Sequence, residues 1–132
     1  MTLGDIARLR AQQGEVEEAL RLHQERLAVN THLGDLYEQA ATMWDIAQIE
    51  LGRGNVREAV PLIVEAYQLC DRLNRLEGIC VIGMTLGQLL IANDRRDEGL
   101  AVLRRSEEGF RSMQRYSEAD SVATLISRLG QS

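Results

Sequence analysis

At 132 residues, 45% hydrophobic and 27% charged, the chain has the composition of one folded domain and not of a disordered or fibrous segment. Its net charge of -5 argues against nucleic-acid or acidic-membrane partners, whose phosphates need clustered cations. No apolar run approaches the roughly 20 residues of a membrane span, and nothing in residues 1–19 resembles a charged-then-apolar leader, so a cytoplasmic protein with no membrane partner is expected.

Residues 2–13 read as a helix, with Leu3, Ile6, Ala7 and Leu9 at helical spacing, and Gly14 ends it. The next helix starts near Glu15, with Glu17 and Glu18 in the first turn where the helix N-terminus favours negative charge. Its stripe is Val16, Ala19, Leu20, His23, Leu27 and Leu33. Gly34 and Asp35 break the chain, and a third helix over 36–51 turns Ala40, Met43, Ile46, Ala47 and Ile49 inward. The fourth, over 55–73, carries the cleanest stripe: Val56, Ala59, Val60, Ile63, Ala66, Tyr67, Cys70 and Leu73. Pro61 lies just past its first turn, removes one donor, and predicts a modest kink in place of a break. Helices over 76–91, 95–113 and 116–129 complete the chain, and no segment alternates with period two, so no sheet is expected.

The stretch around Trp44, running through Gly54 to Ala59, recurs upstream and downstream at a constant spacing of forty residues. Gly14, Gly54 and Asp94 mark equivalent turns, and Ile6, Ile46 and Leu86 equivalent core positions. Self-similarity at a fixed period is the mark of stacked supersecondary units that bury their apolar faces against one another. Small residues recur in the same register: Ala7, Ala47 and Gly87 on first helices, and Ala19, Ala59 and Gly99 on second helices. They let helix axes approach to about 8 Å where the two helices cross.

With its period and its small crossing residues, the chain resembles the tetratricopeptide repeat in a longer, forty-residue bacterial form. It departs from that pattern at Arg10, Glu50 and Leu90, where an aromatic is usual, at His23, and at Asp94 in place of the turn glycine. The resemblance implies an all-α fold, a right-handed α-α superhelix of about seven antiparallel helices. One array would cover residues 1–132, with units of about 1–33, 34–73 and 74–113 and a capping helix over 114–130. By this register the first helix should begin some residues before Met1, so the array reads as cut at its N-terminus. Chaperone-binding members clamp a carboxylate with Lys, Asn and Arg. The matching positions here hold Gly4, Arg8, Asp45, Val81 and Thr85, so no such clamp is expected.

Chemistry is sparse. His23 and His32 have no carboxylate and nucleophile at a catalytic spacing, and His23 reads as part of an end unit that is less completely covered. Cys70 and Cys80 sit on apolar stripes with no partner at metal-ligand spacing and read as small buried hydrophobes, a disulfide between them being open. No enzyme activity, cofactor or metal is expected. One surface stands out, the concave side of the array: Arg8, then Ala41, Trp44, Asp45, Gln48 and Leu51, then Val81, Met84, Thr85, Gln88 and Ile91, then Thr124, Leu125 and Arg128. Trp is a common interface anchor, Met an adaptable one, and the glutamines can bond a peptide backbone. The alternative is that these residues pack against the facing helices.

The expected function is therefore a non-enzymatic interaction module that holds a protein or peptide segment in the groove. The rival is a scaffold or regulatory fragment of a larger ATPase or DNA-binding regulator. The apolar Leu3, Ile6 and Leu9 of the first helix further predict self-association through residues 1–33.

Overall fold

A computed structural model describes residues 3–130. Among them the chain forms seven helices and no strand: α1 (Leu3–Gln12), α2 (Val16–Leu33), α3 (Leu36–Gly52), α4 (Val56–Arg72), α5 (Leu76–Ala92), α6 (Arg96–Ser112) and α7 (Tyr116–Gly130). The protein is all-α, and each boundary falls within one residue of the expected one. Residue 2, assigned above to the first helix, lies outside the described residues. α4 runs through Pro61 without a break.

The repeat is written most plainly in the turns. Every twentieth residue from Gly14 to Gln114 has a positive φ: Gly14 (81°), Gly34 (69°), Gly54 (81°), Asn74 (54°), Asp94 (61°) and Gln114 (61°). The hydrogen bonding is the same each time. The N–H of Asn55 donates to the carbonyl of Glu50 at 2.8 Å and that of Gly54 to Leu51 at 3.0 Å, and the same pair of bonds recurs at the other five turns. This is a Schellman closure, which satisfies carbonyls that the helix end would leave bare. The residue after each positive-φ position then accepts the first bond of the next helix, as Asn55 does from Ala59 and Arg115 from Ala119. One residue thus ends one helix and begins another, so a helix of about 17 residues and a three-residue turn repeat as a twenty-residue half-unit.

Glycine takes the left-handed conformation without steric cost, and Asn and Asp take it with local help, but Gln has neither advantage. Gln114→Gly should therefore raise stability by about 1 kcal/mol. An upward shift of the urea midpoint with an unchanged slope is the expected reading. A fall would mean that the Gln114 side chain makes a stabilising contact worth more than the backbone strain.

The helices group into two compact units, one ending at Leu69 and one beginning at Cys70. In the first, α1 packs on α2, α2 on α3, and α1 also touches α3. Its buried residues include Ala7, Ala19, Leu22, Ala40, Met43, Ile46 and Ala47, with Ala59, Ile63 and Ala66 from α4. In the second, α5 packs on α6 and α6 on α7, around Cys80, Leu103, Phe110, Ala119 and Val122. The Arg115 guanidinium covers the Phe110 ring at 5.1 Å and also pairs with Glu77 at 3.0 Å and with Glu118.

The small residues lie where the spacing placed them. Ala7, Ala19, Ala47 and Ala59 are fully buried. A Cβ on Gly99 would lie 2.6 Å from the Gly87 carbonyl oxygen, so α5 and α6 approach backbone to backbone at that pair. Cys70 and Cys80 are buried free thiols, as the apolar stripes suggested. Each lies where a neighbouring glycine leaves room: a Cβ on Gly78 would meet Cys70 Sγ at 2.5 Å, and one on Gly109 would collide with Cys80 Sγ. On α2 and α4 two stripe positions depart from expectation, Leu33 at 72% exposure and Val56 at 45%. Each is the terminal residue of its helix, where the apolar stripe outruns its packing.

Candidate functional site

The forty-residue register exposes a local anomaly. The buried positions Ile63, Ala66 and Cys70 of α4 and Leu103, Ser106 and Phe110 of α6 correspond on α2 to His23, Arg26 and Asn30, which are equally buried. Opposite them, Thr42 of α3 stands where α5 has Ile82 and α7 has Val122. Four core positions, apolar in the later helices except at Ser106, are polar between α2 and α3. Buried polar groups cost free energy unless their bonds are met, and a buried ion pair often contributes no more than a hydrophobic replacement would. Packing gives no reason for the exchange.

Most of these bonds are met. Asn30 Nδ2 donates to Thr42 Oγ1 at 2.8 Å and to the Glu38 carbonyl at 3.2 Å, and Thr42 Oγ1 donates to that same carbonyl at 2.8 Å. Arg26 bridges two carboxylates of α3, with Nη1 at 2.8 Å from Asp45 Oδ2 and Nη2 at 3.2 Å from Glu38 Oε2. Arg8 of α1 reaches the same Asp45 Oδ2 at 3.2 Å and also pairs with Asp5 at 3.2 Å. The guanidinium of Arg26 lies against Gly4, where a Cβ would come within 2.9 Å of its Cζ. α1 thus contributes a bare backbone patch as well as an arginine.

His23 is the exception. It was expected to be incompletely covered, but it is 1% exposed, and its Nδ1 has no hydrogen-bond partner. The ring forms part of the wall of a cavity of about 490 Å³ among α1, α2 and α3, with Arg8, Ala11, Gln12, Val16, Asp45, Gln48, Ile49, Gly52 and Arg53. Arg53 is held by Glu17 at 2.8 Å and Glu50 at 3.4 Å. Of the ion-paired groups Arg8, Arg53 and Asp45 line the cavity, while Asp5, Glu17, Glu50 and Arg26 pair with them from outside the lining and Glu38 pairs with Arg26.

Burial pushes the His23 pKa below its ordinary 6.5; Asp45 pulls it back up, and Arg26 and Arg8 push it further down. The folded state therefore holds the ring neutral where the unfolded chain would take up a proton. Its contribution to stability is complete above pH 6.5 and is lost as the pH falls from there toward the folded-state pKa. Thermal melts between about pH 7.5 and 5.5 should show this loss, and His23→Leu, which copies Leu103 at the equivalent position, should flatten it. Parallel pH slopes for the two proteins would show that other groups carry the titration.

Of the residues expected on the binding face, Arg8, Asp45 and Gln48 come together on the cavity wall. Ala41, Trp44 and Leu51 lie half-buried along the same helix α3. In the second unit, Val81, Met84 and Ile91 are half-buried and pack against the core cluster. Thr85 and Leu125 are half-buried, and Gln88, Thr124 and Arg128 exposed. Gln88 Nε2 donates to the Met84 carbonyl of its own helix at 2.9 Å, and Thr124 Oγ1 to the Asp120 carbonyl at 3.0 Å. Residue-by-residue reading missed Arg26, Asn30 and Thr42, and placed His23 on the stripe without expecting its full burial. Their signal was the register itself, since the equivalent residues of the later helices are apolar except at Ser106.

The chain matches no protein-family model and no curated protein. Among the described residues no helix is long and apolar enough to cross a membrane, and no cluster of His, Cys, Asp and Glu could hold a metal ion.

Proposed function

We propose that the chain is a non-enzymatic protein–protein interaction module of the tetratricopeptide type, taking a segment of a partner protein along the α3 face of its first unit. The observation that carries this reading is the convergence of Arg8, Asp45 and Gln48 on one cavity, with Trp44 half-buried on the same helix. Concave, part-apolar sites with a few convergent polar groups are where proteins hold ligands, and a partly buried tryptophan is a common anchor. The twenty-residue recurrence of the turns supports the resemblance to the repeat family.

Peptide display against the whole chain tests the reading. Selected segments should lose at least about tenfold in affinity, or 1.4 kcal/mol, against the Trp44→Ala, Gln48→Ala double variant. Segments that bind wild type and variant alike would place recognition elsewhere.

A second reading is a scaffold or regulatory piece of a larger ATPase or DNA-binding regulator, with no peptide ligand of its own. The packing of Val81, Met84 and Ile91 onto the core and the internal bond of Gln88 favour it for the second unit. A display selection that enriches nothing above background would support it.

A further inference from the structure

We infer that the cavity beside His23 receives a positively charged side chain, a guanidinium or ammonium on an aliphatic stem. This rests on the interaction-module reading and adds the chemistry of the ligand. The cations on the wall are already engaged: Arg8 lies between Asp5 and Asp45, and Arg53 between Glu17 and Glu50. An incoming anion would meet guanidiniums whose charge these carboxylates already balance.

Acceptor atoms, by contrast, are left open. Both guanidinium contacts to Asp45 fall on Oδ2, at 2.8 and 3.2 Å, and leave Oδ1 unclaimed. The exposed amide of Gln48 stands one helical turn along the same wall, with its carbonyl oxygen available. The His23 ring lies on the same wall, and its depressed pKa keeps a further positive charge off it.

The open oxygen of Asp45 separates the ligand classes. The lining itself carries Asp45 beside Arg8 and Arg53, and the carboxylates paired with these arginines, Asp5, Glu17 and Glu50, balance their charge. A cation there gains a charge-assisted bond to Asp45 Oδ1, roughly twice as strong as a neutral one. Ala11, Val16 and Ile49 supply apolar wall for the methylene stem of a lysine or arginine. The volume of about 490 Å³ has room for such a side chain together with some of its flanking backbone.

The test is a heteronuclear NMR titration of the full chain with N-acetylarginine amide, with N-acetylcitrulline amide as the neutral isostere, and with acetate. Expected are saturable shifts of the His23 ring resonances and of the backbone amides of residues 45–53 with the arginine probe. The citrulline probe should bind at least about tenfold more weakly, and acetate should leave the cavity resonances unmoved. Asp45→Asn should abolish the arginine response. Because Asp45 also holds Arg26, Ala11→Phe serves as a second variant, filling the cavity while leaving the ion pairs in place, and it too should abolish the response. Equal binding of citrulline, a preference for acetate, or an arginine response that survives Ala11→Phe would each overturn the inference. So would cavity resonances that stay still up to about 10 mM of the arginine probe. None of these outcomes touches the interaction reading, because a displayed segment without a cation could still bind through Trp44.

Discussion

Asp45→Ala should cost the protein about 3 kcal/mol of stability, far more than its place on a helix surface suggests. Removing one partner from a buried ion pair typically costs 3–5 kcal/mol because the other charge stays in a poorly solvated place. Asp45 serves two arginines through one oxygen, and Arg26 is buried between α2 and α3. Glu38 remains at 3.2 Å from Arg26, which puts the loss at the low end of that range. A multiple variant that copies the next repeat, with His23→Ile, Arg26→Ala, Asn30→Cys, Thr42→Ile and Asp45→Thr, should recover most of the loss, since apolar packing replaces paired charges at little or no cost. Urea denaturation of wild type and both variants reads the difference. A loss below about 1 kcal/mol for Asp45→Ala would mean that the network is as solvated as an ordinary surface pair.

The other large effect belongs to the second unit. Gly99→Leu should destabilise by about 3 kcal/mol or more, in spite of the roughly 0.8 kcal/mol by which leucine favours a helix over glycine. A Cβ alone would sit 2.6 Å from the Gly87 carbonyl oxygen and 2.6 Å from Ile91 Cγ1. The first of these is backbone and can yield only if α5 and α6 separate. An unchanged melting temperature for Gly99→Leu would show that the two helices do not cross at this pair.

Much of this fold could be read before any coordinates, for reasons that particular residues make clear. A single helical period carried the stripes, and Gly14, Gly34 and Gly54 announced their turns because glycine is the residue that a left-handed helix end prefers. Gln114 announced nothing, yet its backbone does the same work. The crossing residues were legible because closeness demands smallness, as at Gly87 and Gly99.

The candidate site was legible only in part. Arg8, Asp45 and Gln48 were picked out as members of an outer face, and they meet on one cavity wall. Arg26 and Asn30 escaped because a polar residue on a helix reads as solvated unless its partners across the interface are known, and those partners, Asp45, Glu38 and Thr42, lie 8 to 19 residues away. His23 was misjudged for the same reason: its type suggested incomplete cover, but α1 and α3 close over it.

The two thiols nested against glycines make the second unit its own stopwatch. A thiol reacts as the thiolate, and burial pushes the pKa of both Cys70 and Cys80 up, a push that Arg75 opposes at the first and Arg105 and Arg115 at the second. Neither sulfur can be alkylated where it stands. Each must wait for the helices around it to part, Cys70 from Gly78 and Cys80 from Gly109. The alkylation rate of each native cysteine, divided by that of an unstructured thiol, therefore gives the free energy of one local opening without any introduced label. Two such rates in one chain time the fraying of α5 at its N-terminal turn separately from its parting from α6.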